Sequence, residues 1–212
     1  MPQGHITYPV TPPSQLTDNI VSVTATASNT VSINESPFTY AQQVYEFSGK
    51  RWEFAITTAP LKDNDIRWVE AFLLSLNGIR GTFELDIGGI MDERILGTHT
   101  GTVQVDSGSP AGSTDISLNV VSGSFSITQG EWITLTGSTT QIPRLHKTTS
   151  IPYPGTQNVS IFPGLRENSS SETITVTTAT QKGLFRLMDN DLRWTKTTNG
   201  LTSLSFNIVE VL

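Results

Sequence analysis

The chain has 212 residues, no cysteine and a formal net charge of −6, and only 15% of its residues are charged, against about 25% in ordinary soluble domains. The absence of cysteine excludes disulfide frameworks, thiolate metal sites, iron–sulfur clusters and cysteine nucleophiles. The acidic balance argues against nucleic-acid binding. No run approaches the roughly 18 apolar residues of a membrane helix, and residues 1–5 show no signal-peptide pattern. We therefore expect a chain that is made in a cytoplasm and is not inserted in a membrane.

Serine and threonine stand in many of the positions where other soluble domains have charged residues. They alternate with valine and isoleucine over many short stretches. This alternation is typical of strands with one face inward, and turn residues punctuate it every 8–12 residues or so, as sandwiches and barrels require. The pattern predicts a mainly β chain. Its clearest strands are residues 20–26, 30–33, 101–105, 132–136 and 172–177.

One segment, residues 60–81, breaks the period of two and predicts the only convincing α-helix, at about 62–77. Asp63 is expected to cap its start, and Asn77-Gly78 supplies the left-handed residue that ends it. The apolar positions recur at steps of three and four, which places them on one face against a sheet. These positions are Ile66, Val69, Phe72, Leu73 and Leu76.

Four other residues of this helix are candidates for a subunit interface. Trp68 and Leu74 lie off the centre of the apolar stripe, and Arg67 and Glu70 are expected to remain exposed. The simpler interpretation is that Trp68 and Leu74 border the core, and sequence alone favours it. The alternative is that they face another subunit, because aromatic residues are enriched at interface cores.

The composition changes along the chain and predicts two domains. From Gly88 to about Gln181 the sequence is rich in glycine, serine and threonine and nearly free of aromatic residues, and turns are expected at 107–113 and 122–124. The similar stretches 81–85 and 183–187 bracket this part. We predict a discontinuous first domain, residues 1–93 plus 183–212, interrupted by an inserted β-domain, residues 94–182, of about five strands in a small barrel or Greek-key sandwich.

No motif in the chain builds an active site. His5, His99 and His146 stand alone in contexts that resemble loops or turns, without metal-ligand spacing, so no metal site is expected. Nucleophile-elbow and phosphate-loop motifs are absent, and Gly88-Gly89 is expected to precede no helix. Pairs of carboxylates are interpreted as a helix start, a junction loop and a hairpin turn. They are Asp63 with Asp65, Asp92 with Glu93, and Asp189 with Asp191. We predict no catalytic residue and no cofactor.

The aromatic residues divide into two groups. Trp52, Trp132 and Trp194 lie in alternating strands and are predicted to be core residues. The tyrosines lie in less regular segments, where contact with a sugar stays open. They are Tyr8, Tyr40, Tyr45 and Tyr153.

Several blocks of the sequence resemble a family of tailed-phage virion proteins, the minor tail and distal tail proteins of siphophages. The blocks are residues 36–45, 49–53, 58–61, 71–83, 129–133, 161–166 and 183–194, and residues 72–83 are the most specific of them. The resemblance implies a tail-tube-like β-sandwich domain with one helix, interrupted by a small OB-like barrel. It also implies a hexameric ring, not an enzyme, located at the tail tip of the virion. The implied partners are the tail tube protein, the tail hub protein, the tape measure protein and a receptor-binding fibre.

Two alternatives stay beside this expectation. In the first alternative, the inserted domain is a carbohydrate-binding module that contacts host glycans. In the second, the chain is another minor tail or tail-tube protein. A hydrolase would need two carboxylates roughly 5–10 Å apart in a cleft, and the sequence shows no such pair.

Overall fold

The structure is a computed structural model that describes residues 8–91, 99–150, 158–196 and 200–212. It confirms the predicted fold class: the chain is mainly β, with a β-sheet body carrying one substantial helix and, inserted in it, a closed β-barrel. The barrel strands run from His99 to Thr177, inside the predicted insertion of residues 94–182.

The sheet body contains five antiparallel strands in the order β1-β2-β13-β10-β3. These are β1 (Ile20–Glu35), β2 (Gln42–Thr58), β3 (Phe83–Asp86), β10 (Lys182–Leu187) and β13 (Ser205–Glu210), with α1 (Ser14–Thr17), α2 (Asp63–Ser75) and α3 (Ile87–Met91). The barrel closes in the order β4-β5-β8-β7-β6-β9. Its strands are β4 (His99–Val105), β5 (Asp115–Phe125), β6 (Trp132–Gly137), β7 (Pro143–Ser150), β8 (Asn158–Phe162) and β9 (Ile174–Thr177), and a short pair, β11 (Thr195–Lys196) and β12 (Thr202–Ser203), lies outside both.

Helix α2 forms where the periodicity predicts it, and it packs its apolar face on the sheet. All five predicted face residues are at most 6% exposed, and the Phe72 ring meets Phe83 edge-on at 5.4 Å. Asn77 and Gly78 both have left-handed φ values, 54° and 66°, and end the helix as predicted. The predicted cap is wrong, because the helix starts one residue earlier: Lys62 is the N-cap and makes no side-chain capping bond.

Three further expectations are corrected. Besides α2, the described residues form two short α-helices, α1 and α3, and a 3-10 turn at Gly78–Arg80, and Gly88-Gly89 lies inside α3. The Asp86 carboxylate accepts hydrogen bonds from the backbone N–H groups of Gly89 and Gln181, at 3.1 and 3.0 Å. It therefore connects α3 to Gln181, which is distant in sequence. The barrel has six strands in place of five, and residues 122–124 continue β5 and do not form a turn.

Two apolar cores fill the molecule, one under the sheet and one inside the barrel. Trp132 and Leu145 belong to barrel strands, but their side chains pack in the sheet core. The two bodies therefore share a packed boundary and are not merely tethered.

Candidate functional site

A long β-hairpin projects beyond the sheet and is the most conspicuous surface feature of the chain. The separate strands predicted at residues 20–26 and 30–33 join into β1, which pairs with β2 from Ile20–Thr58 out to Glu35–Gln42. Strand β13 pairs with β2 from Thr57 only as far as Glu53. Residues 29–50, hereafter the arm, therefore form a two-stranded ribbon of about 20 Å plus its turn, at the usual rise per strand residue.

The arm exposes apolar side chains on both of its faces. Cross-strand partners share a face, so Ile33 and Val44, each 62% exposed, lie together on one side. Val31 continues this aliphatic face. Tyr45, paired with Ser32, points to the opposite side and is 52% exposed. The root of the arm, at Phe47 and Lys50, lines a cavity with Arg166 of the barrel, whereas residues 30–35 and 41–45 are exposed on both faces of the ribbon.

The tip of the arm adds two more aromatic rings. Phe38 is 93% exposed and Tyr40 is 75% exposed, and Tyr40 has a left-handed φ of 55°. The turn is closed by hydrogen bonds from the Ser36 N–H to the Ala41 carbonyl and from the Tyr40 N–H to the Ser36 carbonyl, at 3.0 and 2.9 Å. These bonds define the conformation of the turn that carries the exposed rings.

The arm bends where it leaves the sheet. The β1–β2 register shifts between the Asn29–Lys50 and Val31–Glu46 pairs, which leaves extra residues on β2. The Thr30 hydroxyl donates to the Gly49 carbonyl at 2.9 Å across this bulge. Bulges bend a strand and increase its twist, so the direction of the arm is fixed by local sequence.

The predicted interface residues lie on a second exposed surface, the outer side of α2. Trp68 and Leu74 are each 60% exposed, so the interpretation that they border the core is wrong. Arg67 is exposed on the same side, and Ala71 lies between the two apolar residues. Glu70 is half-buried, and its Oε1 is 3.4 Å from Lys196 Nζ, which separates it from the other three candidates. Trp68, Ala71, Leu74 and Arg67 are called the α2 stripe below.

The boundary between sheet and barrel is built on an aromatic cluster. Trp52 of β2 contacts Trp132 of β6 with ring centroids 4.6 Å apart and Phe162 of β8 at 5.0 Å. The Lys147 ammonium lies 4.5 Å from the Trp132 ring centroid. Aromatic pairs at such distances contribute about 0.5–1.5 kcal/mol each beyond area burial. The prediction that Trp52 and Trp132 are core residues is confirmed, and Trp194 is half-buried against the sheet core.

Buried ion pairs reinforce the same boundary. Arg166 Nη2 lies 3.0 Å from Glu210 Oε2 and donates to the Lys50 carbonyl at 2.6 Å. Glu210 also accepts from the Trp52 N–H at 3.2 Å. Burial raises the pKa of Glu210 above its ordinary 4.5, and the charge of Arg166 opposes that rise. This pair connects a barrel loop to the last strand and to the root of the arm.

A second pair lies beside the first one. Arg144 Nε is 3.1 Å from Glu167 Oε1, and its Nη1 donates to the Val211 carbonyl. His146, expected in a turn-like context, instead lies fully buried in β7, with Nδ1 2.8 Å from the Pro163 carbonyl. Desolvation lowers its pKa to about 3, so the imidazole is neutral. It is a structural residue of the barrel.

The remaining candidate sites do not converge. Asp189 and Asp191 line an open cavity of about 610 Å³. The Asn190 side chain between them accepts a hydrogen bond from the Ile79 N–H at 3.2 Å. Asp92 and Glu93 fall outside the described residues, as do His5 and Tyr153, and nothing is described of the side chains of Asp63 and His99. Over residues 8–91, 99–150, 158–196 and 200–212, no three histidine or carboxylate side chains are grouped as metal ligands.

The aromatic residues that a sugar platform needs are not exposed on the described part of the barrel. Trp132 is buried, and Phe125 and Phe162 are half-buried. Of the three tyrosines in the described segments, Tyr40 and Tyr45 are exposed, both on the arm, whereas Tyr8 is half-buried and donates to the Ser75 carbonyl at 3.3 Å.

The fold and its surfaces define a class of protein: a mainly β chain with an inserted barrel, a packed boundary between barrel and sheet, and two exposed apolar surfaces. No protein-family model matches the chain, and a comparison with curated proteins also gives no match. Within the described residues, no helix has the length and apolar character that crossing a bilayer requires.

Proposed function

We propose that the chain is a structural protein of a phage tail tip, a distal tail protein. Its copies form a ring of six that joins the tail tube to the hub and the receptor-binding apparatus. In this proposal the chain is not an enzyme. Its partners are other copies of itself, the tail tube protein, the tail hub protein, the tape measure protein and a receptor-binding fibre. It is made in the host cytoplasm and ends in the virion.

The arm is the observation that carries this proposal. Its seven large apolar side chains are 49–93% exposed and lie on both faces and at the tip of the ribbon, and exposed apolar surface of this kind marks an interaction site. A free two-stranded ribbon is at best marginally stable in water. The arm is therefore explained best as an element that another protein surface covers. These side chains are Val31, Ile33, Phe38, Tyr40, Val44, Tyr45 and Phe47.

The geometry of the arm favours a ring over a simple dimer. An arm that docks on a different surface of its neighbour makes a heterologous contact, and such contacts repeat from copy to copy until they close. The bulge at Thr30 fixes the direction of the arm, and a fixed direction gives each step the same rotation. The packed boundary at Trp52 and Trp132 then holds each barrel at a constant position around the ring.

Native mass spectrometry and negative-stain imaging of the purified chain at physiological salt test the proposal. We expect closed rings of six copies. Long stacked tubes would instead assign the chain to the tail tube, and a strict monomer at high protein concentration would contradict the proposal. Binding of a glycan array by the isolated chain would favour the carbohydrate-binding alternative.

A further inference from the structure

We infer that the aliphatic face of the arm of one copy packs on the α2 stripe of the next copy, with Glu35 of the arm beside Arg67 of the stripe. The inference rests on the proposed function, because it requires copies that assemble. It adds the identity of the two surfaces that meet.

Both surfaces are uncovered in the same chain. On the arm, Val31, Ile33 and Val44 are 49%, 62% and 62% exposed, and on α2, Trp68 and Leu74 are 60% exposed. The arm thus does not fold back onto its own helix, and any contact between the two surfaces joins different copies. Tryptophan is among the residues that contribute most to interface free energy, so Trp68 is suited to be the central contact.

The dimensions of the two surfaces agree. From Trp68 to Leu74 the stripe is about 9 Å long at the rise of an α-helix. From Val31 to Glu35 the arm face is about 13 Å long at the rise of a strand. Packing Val31 and Ile33 along the stripe therefore places Glu35 at or just beyond one end of it, within reach of a long arginine side chain.

A local charge match favours a second copy as the occupant. Of the two carboxylates of the arm, Glu46 is paired with Lys50 at the root, so Glu35, which accepts a hydrogen bond from Gln42 Nε2, is the negative charge that the outer part presents. Helix α2 also contains carboxylates, but Arg67 is the one charged residue of the α2 stripe itself. In a chain of net charge −6, copies that approach one another repel overall, so the surfaces that meet must be matched locally.

Cross-linking between cysteine variants tests the inference, since the chain has no cysteine of its own. Val44→Cys protein is mixed with Ala71→Cys protein and treated with a short bifunctional maleimide. The matched control mixes Val44→Cys with Ser107→Cys, which places an exposed thiol on a barrel turn. If the surfaces meet, we expect roughly tenfold more mixed cross-link with Ala71→Cys than with the control, because docking raises the local thiol concentration.

A charge exchange gives an independent measurement. Glu35→Arg and Arg67→Glu, each alone, are expected to weaken assembly by roughly fivefold, the upper range for an exposed pair. The two changes combined in one chain are expected to restore it.

The outcomes separate the inference from the proposed function. Cross-linking specific to Ala71→Cys, with rescue by the charge exchange, supports the inference. Rings that give no more cross-link than the control, or that cross-link Val44→Cys chiefly to itself, overturn the inference and leave the ring intact. A chain that stays monomeric overturns both.

Discussion

Replacing Arg166 with methionine probes the boundary between barrel and sheet. Methionine keeps most of the side-chain volume and removes the charge. The Arg166 side chain is 15% exposed and that of its partner Glu210 is 1% exposed. The substitution therefore leaves a carboxylate in the interior without the ion pair that opposes its desolvation, and the pKa of Glu210 is expected to rise further above 4.5.

The magnitude follows from two competing effects. Breaking a buried ion pair by removing one partner costs about 3–5 kcal/mol when the remaining charge is retained. Protonation of Glu210 in the folded state removes the buried charge and so lowers this cost. Above about pH 4.5 the unfolded chain has lost that proton, so the folded state binds more protons and stability falls as pH rises, by at most about 1.4 kcal/mol per pH unit.

We therefore expect Arg166→Met to cost little near pH 5 and about 3 kcal/mol near pH 7. Removing Arg166 also takes away one of the charges that lower the pKa of His146, which changes the pH dependence in the same direction. Urea unfolding followed by tryptophan fluorescence at the two pH values measures the free-energy difference from the unsubstituted chain. Arg193→Met is the control, because that arginine is exposed and lies outside the α2 stripe. A difference that is equal at both pH values would refute this reasoning.

Two further predictions concern buried side chains of the barrel. Between pH 6.5 and pH 5 the unfolding free energy of His146→Gln should fall by about 1.6 kcal/mol less than that of the unsubstituted chain. Denaturant titrations at the two pH values measure this difference. The sign follows from the pKa of about 3 in the folded state, since only the unfolded imidazole, which titrates near 6.5, takes up a proton in that range. Trp132→Ala should cost about 3–5 kcal/mol and separate the unfolding of barrel and sheet in calorimetry, whereas Val121→Ala, at an exposed position of the barrel, should stay within about 0.5 kcal/mol. A single unshifted transition in Trp132→Ala would contradict the shared boundary.

Local patterns predict much of this fold. The helical period from Ile66 to Leu76 gives the buried face of α2, and alternation gives barrel strands such as β4, β6 and β9 close to their observed limits. These features arise from short-range geometry, so they are visible in a short window of residues. Helix α3 cannot be predicted in this way, because it contains two adjacent glycines. It is held by hydrogen bonds of Asp86, one of which comes from Gln181 on the far side of the barrel in sequence.

The candidate site depends on information that no local pattern contains. The alternation at residues 30–33 predicts a strand but does not say whether its apolar face is covered. Strands of the barrel with the same alternation bury that face, whereas the arm exposes it. Likewise, Arg166 and Glu210 are 44 residues apart, and their pairing follows only from the closure of the barrel against the sheet. Of the four predicted interface residues, the three on the exposed stripe stay candidates, while Glu70 already pairs with Lys196.

Removing the arm tests the central claim most directly, since the claim is that the arm drives assembly. Replacing residues 30–49 with a two-residue Asn-Gly turn joins Asn29 to Lys50, which already pair across the hairpin. Val121→Ser, which removes an exposed apolar side chain from the barrel, is the matched control. Native mass spectrometry should show monomers for the shortened chain and rings for the control, and the shortened chain should unfold within about 1 kcal/mol of a full-length monomer. Rings that form equally well without the arm would contradict the account.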